Sequence, residues 1–245
     1  MEKTDIRLEH LTIGYNGGRK DMRIVARDLD RQVEGGRIIC LIGRNGTGKS
    51  TLLRTIAGFQ PPLEGRIIIG GCDISTASAR RMARLVGVVL TTRPDIHNTT
   101  VEALVALGRA PYTGFWGSLS EADREIVDRS LRLTGITDIA RRNIRSLSDG
   151  QMQRVMVAKT LAQQTPVILL DEPTAFLDYP GKNAMMGLLA SLAHDEGKTI
   201  LLSTHDLDAA LVHADRIWMM QEDGITDGTP VELCGNGVIG RYKKS

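Results

Sequence analysis

The sequence predicts an α/β protein with a mostly parallel core sheet, an N-terminal antiparallel β-subdomain and an inserted helical subdomain. Three observations predict it. The apolar runs Val167-Ile168-Leu169-Leu170 and Thr199-Ile200-Leu201-Leu202 are separated by helical sequence, as parallel strands buried on both faces are. Residues 5–35 alternate apolar and polar in the manner of antiparallel strands. Residues 92–150 change texture and read as helices.

The elements follow in order. Ile6, Leu8, Leu11 and Ile13 mark one strand and Ile24 to Val33 another, with Gly17-Gly18 suited to the turn between them. Arg37 to Ile42 reads as a buried strand, and Ser50 to Ala57 as a helix that stops at Gly58. Pro61-Pro62 and Gly65 break the chain before a short strand, Arg66 to Ile69. Val86 to Leu90 is a continuous apolar strand run. Thr100 to Leu107 reads as a helix, and Ser120-Glu121-Ala122-Asp123 as the capping box of another that runs to about Gly135. The expected organisation is one domain, with 1–91 and 151–245 as core and 92–150 as the helical insert.

Composition narrows the class. The chain has 245 residues, 42% hydrophobic and 24% charged, which is ordinary for a globular protein with a sizeable core. A net charge of +2 makes no electrostatic case for nucleic acid or an anionic membrane. Cys40, Cys72 and Cys234 lack metal-ligand spacing and fit a reducing cytosol, with Cys40 expected as a small buried hydrophobe. Met1 to Asp5 has no signal-peptide core, and no apolar run approaches the ~18 residues of a membrane span, so a soluble chain is expected.

The chemistry centres on Gly43-Arg44-Asn45-Gly46-Thr47-Gly48-Lys49-Ser50, which fits the phosphate-loop pattern G-x-x-x-x-G-K-[ST] between a strand and a helix. Glycines let backbone close around a polyphosphate, and the freed N–H groups and the positive helix end face the anion. Lys49 adds a full charge near the terminal phosphates, and the Ser50 hydroxyl is a ligand for Mg²⁺. Asp171 and Glu172 end the strand run Val167–Leu170. There Asp171 is suited to holding Mg²⁺ and Glu172 to polarising an attacking water. In Leu147-Ser148-Asp149-Gly150-Gln151, Ser148 sits at a helix start and Gly150 permits close backbone approach. That is either a second anion-binding helix terminus or an ordinary capped helix.

Taken together and in this order, GRNGTGKS, LSDGQ and VILLDEP resemble the ATP-binding subunit of ATP-binding cassette (ABC) transporters, over nearly the whole chain. The resemblance implies the P-loop NTPase cassette fold, ATP hydrolysis with Mg²⁺, and a sandwich of two copies. Each ATP would lie between the phosphate loop of one copy, Gly43 to Thr51, and Ser148, Gly150 and Gln151 of the other. Tyr15 matches the aromatic on which adenine stacks, Asp178 the D-loop, and His205 the histidine that binds the γ-phosphate. Glu172, His205 and Lys49 are thus the expected catalytic residues, and Ser50, Asp171 and Thr91 the metal site. Thr91 stands where the family has a glutamine that touches Mg²⁺ and water, and its shorter hydroxyl calls for a bridging water.

Residues 98–120 are similar to the subfamily that powers uptake of iron–siderophore complexes, haem or cobalamin. The implied partners are transmembrane permease subunits, with a substrate-binding protein acting indirectly, and the implied location is the cytoplasmic face of the membrane. Tyr112, Phe115 and Trp116 form an aromatic patch suited either to a permease helix or to packing the insert. The alternatives are an importer of another cargo, such as a metal ion, or a soluble cassette ATPase outside transport. The latter is disfavoured by a single set of motifs and no heptad run.

Overall fold

The computed structural model describes residues 4–17, 22–90, 98–114, 117–221 and 224–244. The chain opens with β1 (Ile6–Asn16), β2 (Met22–Val33), β3 (Ile38–Ile42), α1 (Lys49–Ile56), β4 (Glu64–Ile69) and β5 (Cys72–Asp73). It continues with α2 (Ala79–Leu85), β6 (Val86–Val89), α3 (Val101–Ala106), α4 (Glu121–Leu133) and α5 (Asp149–Ala162). The remainder is β7 (Val167–Asp171), α6 (Tyr179–His194), β8 (Thr199–Thr204), α7 (Leu207–His213), β9 (Arg216–Gln221), β10 (Gly224–Gly228), α8 (Pro230–Gly235) and α9 (Val238–Lys244).

Among the described residues the strands form two sheets. The antiparallel one runs β2-β1-β4-β5, and the larger one runs β10-β9-β3-β8-β7-β6. In the latter only β10 is antiparallel to its neighbour. This is the α/β arrangement expected, with the antiparallel sheet at the N-terminal end of the chain. The N-terminal strands are longer than their alternation suggests because register shifts at Leu8/Leu11 and Leu11/Ile13 break the period while pairing continues. No helix of the described residues is long and apolar enough to cross a membrane.

Three apolar clusters hold the layers. Leu52, Leu53 and Ile56 of α1 bury against the antiparallel sheet and against Leu169, Leu201 and Trp218 of the larger sheet. The opposite face of that sheet packs Met185, Met186 and Leu189 of α6 and Val157 of α5. A third cluster joins Val101 and Leu104 of α3, Val127 and Leu131 of α4, and Val155 and Ala158 of α5. Helix α5 is therefore buried on two sides, and that is why its sequence shows no single apolar stripe.

Helix boundaries follow local chemistry. Gly58 takes φ +73° just beyond the end of α1, where a side chain would be strained. Ser120 and Asp123 form the expected capping box of α4, which ends at Leu133, slightly before Gly135. Asp123 does more than cap. Its carboxylate accepts from the Ser120 N–H at 3.0 Å, the Ser120 hydroxyl at 2.7 Å and Arg109 Nε at 2.8 Å. Buried Arg109 also donates to the Ala162 carbonyl at 2.8 Å and to Gln164 Oε1 at 2.9 Å, so it ties α4 to the end of α5.

The Ser120 hydroxyl, the Arg109 guanidinium and the Ser120 N–H hold the Asp123 carboxyl down at about 2, below its ordinary 3.8. A depressed carboxylate stabilises the fold fully above its unfolded value and loses that contribution as pH falls through its folded value. Asp123→Asn is expected to cost about 1–3 kcal/mol at neutral pH, because it removes the charge paired with a buried guanidinium and leaves it only the neutral Ala162 and Gln164 acceptors. Denaturant melts should show parent and variant converging as pH drops from about 4 towards 2. An equal gap across that window would contradict the assignment.

Tyr112 packs its ring against two guanidiniums, Arg109 at 4.1 Å and Arg84 at 4.7 Å from its centroid. Arg84 also donates to the Pro111 carbonyl at 3.0 Å. Tyr112 thus packs the junction between the segment that follows α3 and helix α2. Phe115 and Trp116 lie outside the described residues.

Candidate nucleotide-binding site

The predicted phosphate loop spans the gap from the end of β3 to the start of α1. Its glycines are there for space and torsion. A Cβ on Gly43 would sit 2.7 Å from both the Met220 carbonyl oxygen and Thr47 Oγ1. Gly48 has φ +104°, and a Cβ there would lie 2.1 Å from Val25 Cγ1. Gly46 has φ +83° in open space, so torsion alone selects glycine. Thr47 braces the turn by donating its hydroxyl to the Arg44 carbonyl at 2.9 Å, and Asn45 is exposed at the tip.

Lys49 is 6% exposed and donates to the carbonyls of Gly43 at 2.8 Å and Arg44 at 3.2 Å. Burial pushes its ammonium below the ordinary lysine range, while Glu172 and Asp171 pull the other way. Next to it, the Ser50 hydroxyl donates to Asp171 Oδ1 at 3.1 Å. These are hard oxygen donors on a strand end and a helix start, the type that Mg²⁺ selects. Glu172 follows at the end of β7 with φ +50°, a left-handed conformation rare for a side chain of its size. His205 Nδ1 lies 2.8 Å from Glu172 Oε2. Residues from three separate strand ends, β3, β7 and β8, therefore meet at one point, as ligand sites do in open parallel sheets.

Tyr15 lies on β1, half exposed, with its hydroxyl 2.9 Å from Thr51 Oγ1 on α1. Its ring stands at the edge of the loop–helix unit. Ser148 caps α5, accepting from the Gln151 N–H at 3.3 Å while Gln151 Oε1 accepts from the Ser148 N–H at 3.1 Å. These bonds close on one another. Gly150 faces Leu177, whose Cδ2 would be 3.4 Å from an added Cβ. Asp178 caps α6 through the Gly181 N–H at 2.9 Å. Thr91 lies outside the described residues. Sequence reasoning missed Ser203, whose buried hydroxyl contacts both Asp171 and the Glu172 N–H. A serine at the end of an apolar strand, two residues before His205, was the available signal.

The parallel sheet and the loop on its central strand define a phosphate-loop nucleotide-binding protein. The family description "ABC transporter" matches residues 26–175. The achromobactin transport ATP-binding protein CbrD of Dickeya dadantii is 39% identical over 238 residues, 96% of this chain and 86% of that protein. The ferric enterobactin transport ATP-binding protein FepC of Escherichia coli is 34% identical over 237 residues, again 96% and 86%. A dimeric post-hydrolysis structure of the ATP-binding cassette MJ0796 bound to ADP and Pi superposes with a TM-score of 0.79 at 26% identity, over 92% of this chain and 98% of that one. The chain belongs to the ABC transporter family and is an ATP-binding cassette ATPase.

Proposed function

We propose that this chain is the ATP-hydrolysing subunit of an importer for iron–siderophore complexes, haem or cobalamin, working at the cytoplasmic face of the membrane on a partner permease. The names of the relatives support an iron-chelate cargo, one being named for transport of achromobactin and the other for transport of ferric enterobactin. A substrate-binding protein delivers the cargo to the permease.

In this reading adenine stacks on Tyr15, and the N–H groups of Gly43 to Thr51 cradle the phosphates. Lys49 moves from the carbonyls it now serves onto the terminal phosphates, and Asn45 and Thr47 line the loop. Mg²⁺ would be held by Ser50 and Asp171, with Thr91 through a water, and would neutralise charge on the phosphates. Glu172 orients the attacking water and accepts its proton. His205 keeps Glu172 in place through their hydrogen bond and offers its ring to the γ-phosphate. The partner copy supplies Ser148, Gly150 and Gln151 as a second helix terminus, and Asp178 lies at the junction between copies. Closure excludes water and aligns the reacting atoms, and most of phosphoryl-transfer catalysis comes from that positioning. Opening after hydrolysis resets the permease.

The observation that carries the reading is the convergence of Lys49, Ser50, Asp171, Glu172 and His205 at the ends of β3, β7 and β8. The test is uptake. Deleting the gene is expected to abolish accumulation of radiolabelled iron–siderophore, with wild type restoring it and Lys49→Ala failing to. Uptake lost only for haem, cobalamin or a free metal ion would reassign the cargo. Uptake unchanged for all of them would point to the soluble class.

A further inference from the structure

We propose that Ser203 is a positioning residue for hydrolysis, its hydroxyl holding the Asp171 carboxylate and the Glu172 backbone in register. The proposal rests on the roles given above to Asp171 and Glu172. Strand β8 lies between β3, which carries the phosphate loop, and β7, which carries the two acids. Ser203 is the cross-strand partner of Leu41 on one side and of Asp171 on the other. It is fully buried, at the end of the apolar run Ile200-Leu201-Leu202.

A hydroxyl in such a place is costly unless its hydrogen bonds are made. Here both are made. The hydroxyl donates its proton to Asp171 Oδ1 at 2.6 Å and accepts the Glu172 N–H at 2.9 Å. The first is a short bond to a carboxylate, of the strong charge-assisted kind. The second pins the backbone of a residue at φ +50°, a conformation that costs energy and needs its surroundings to hold it. Asp171 Oδ1 meets Ser50 at 3.1 Å as well, so its carboxylate is fixed from two sides. Two residues beyond Ser203, His205 reaches the Glu172 carboxylate at 2.8 Å. One strand end thus anchors Glu172 twice, at its backbone through Ser203 and at its side chain through His205.

Removing the hydroxyl leaves the Glu172 N–H without that partner and takes from Asp171 Oδ1 its bond to β8, leaving the Ser50 hydroxyl on that oxygen. Partners that orient metal-binding carboxylates typically change metal affinity or activity by about 10–100-fold when lost. In Ser203→Ala we expect kcat to fall about 10–100-fold at saturating Mg²⁺-ATP. KM for ATP should stay near the parent value, since the phosphate loop is untouched. Mn²⁺ affinity, read by electron paramagnetic resonance with a non-hydrolysable ATP analogue, should weaken about tenfold. Ser203→Cys keeps nearly the same volume with a much weaker donor, and should behave likewise. It takes the place of Ser203→Ala if the latter does not fold.

A folded variant of either kind with parent-like kcat and parent-like Mn²⁺ affinity overturns the proposal, whatever its melting temperature does. Glu172→Gln measured alongside separates two failures. If it is inactive while the Ser203 variants match the parent, only the role of Ser203 is wrong. If Glu172→Gln is itself active, the underlying assignment is wrong.

Discussion

Glu172→Gln is expected to hydrolyse ATP about 10²–10⁴-fold more slowly than the parent, the usual cost of removing a general base. The change is nearly isosteric, so packing around β7 persists. The amide keeps a carbonyl oxygen and loses the charge that accepts a proton from water. The His205 hydrogen bond to position 172 can still form, which preserves the local geometry. ATP binding should survive, because Lys49, Ser50 and the loop N–H groups are unchanged. Steady-state phosphate release gives the rate, and equilibrium titration with ATP gives the binding. Near-normal turnover would remove Glu172 from its assigned role.

Lys49→Ala is expected to act earlier, on binding itself. A hydrogen bond to a charged group contributes about 1.5–3 kcal/mol. Losing one or two such bonds to phosphate oxygens weakens binding by about tenfold at the least, and by 10²-fold or more where both are lost. Lys49 is buried, and its ammonium now serves the carbonyls of Gly43 and Arg44. Truncation therefore also loosens the loop from within. Calorimetric titration with ATP and the hydrolysis rate should both report the defect. If affinity and turnover are both preserved, the phosphate-loop assignment fails.

The two variants distinguish grip from chemistry, and sequence alone offers both positions as candidates. Position 49 lies in a spacing pattern whose physics is local: glycines for torsion, a helix terminus for charge, a lysine for the phosphates. Glu172 was readable because an apolar strand run ends in two acids. The fold class followed from the same kind of signal, since strands such as Ile38–Ile42 and Val167–Asp171 are buried along nearly their whole length.

What sequence did not yield depends on tertiary neighbours. Ser203 looks like the polar end of a strand until β8 is seen between β3 and β7. Arg109 looks like a surface charge on a helical segment, yet it is 4% exposed and bonded to α4 and to the end of α5. The β9–β10 hairpin is not legible in sequence because Ile217 to Met220 is apolar on both faces and shows no alternation. Ser148 and Gln151 satisfy one another, which makes this helix start a well-formed cap before any phosphate arrives.

In the proposed cycle two copies share each ATP, with that cap's Ser148 in one copy facing Lys49 of the other. The most direct measurement is the mass in solution of Glu172→Gln by light scattering, with and without saturating ATP. Slow hydrolysis should hold the closed state, so twice the mass of one chain is predicted with ATP and a single chain without it. Adding Ser148→Arg to that variant should return it to a single chain. A single-chain mass under saturating ATP, together with parent hydrolysis whose specific rate ignores dilution, would contradict the shared site.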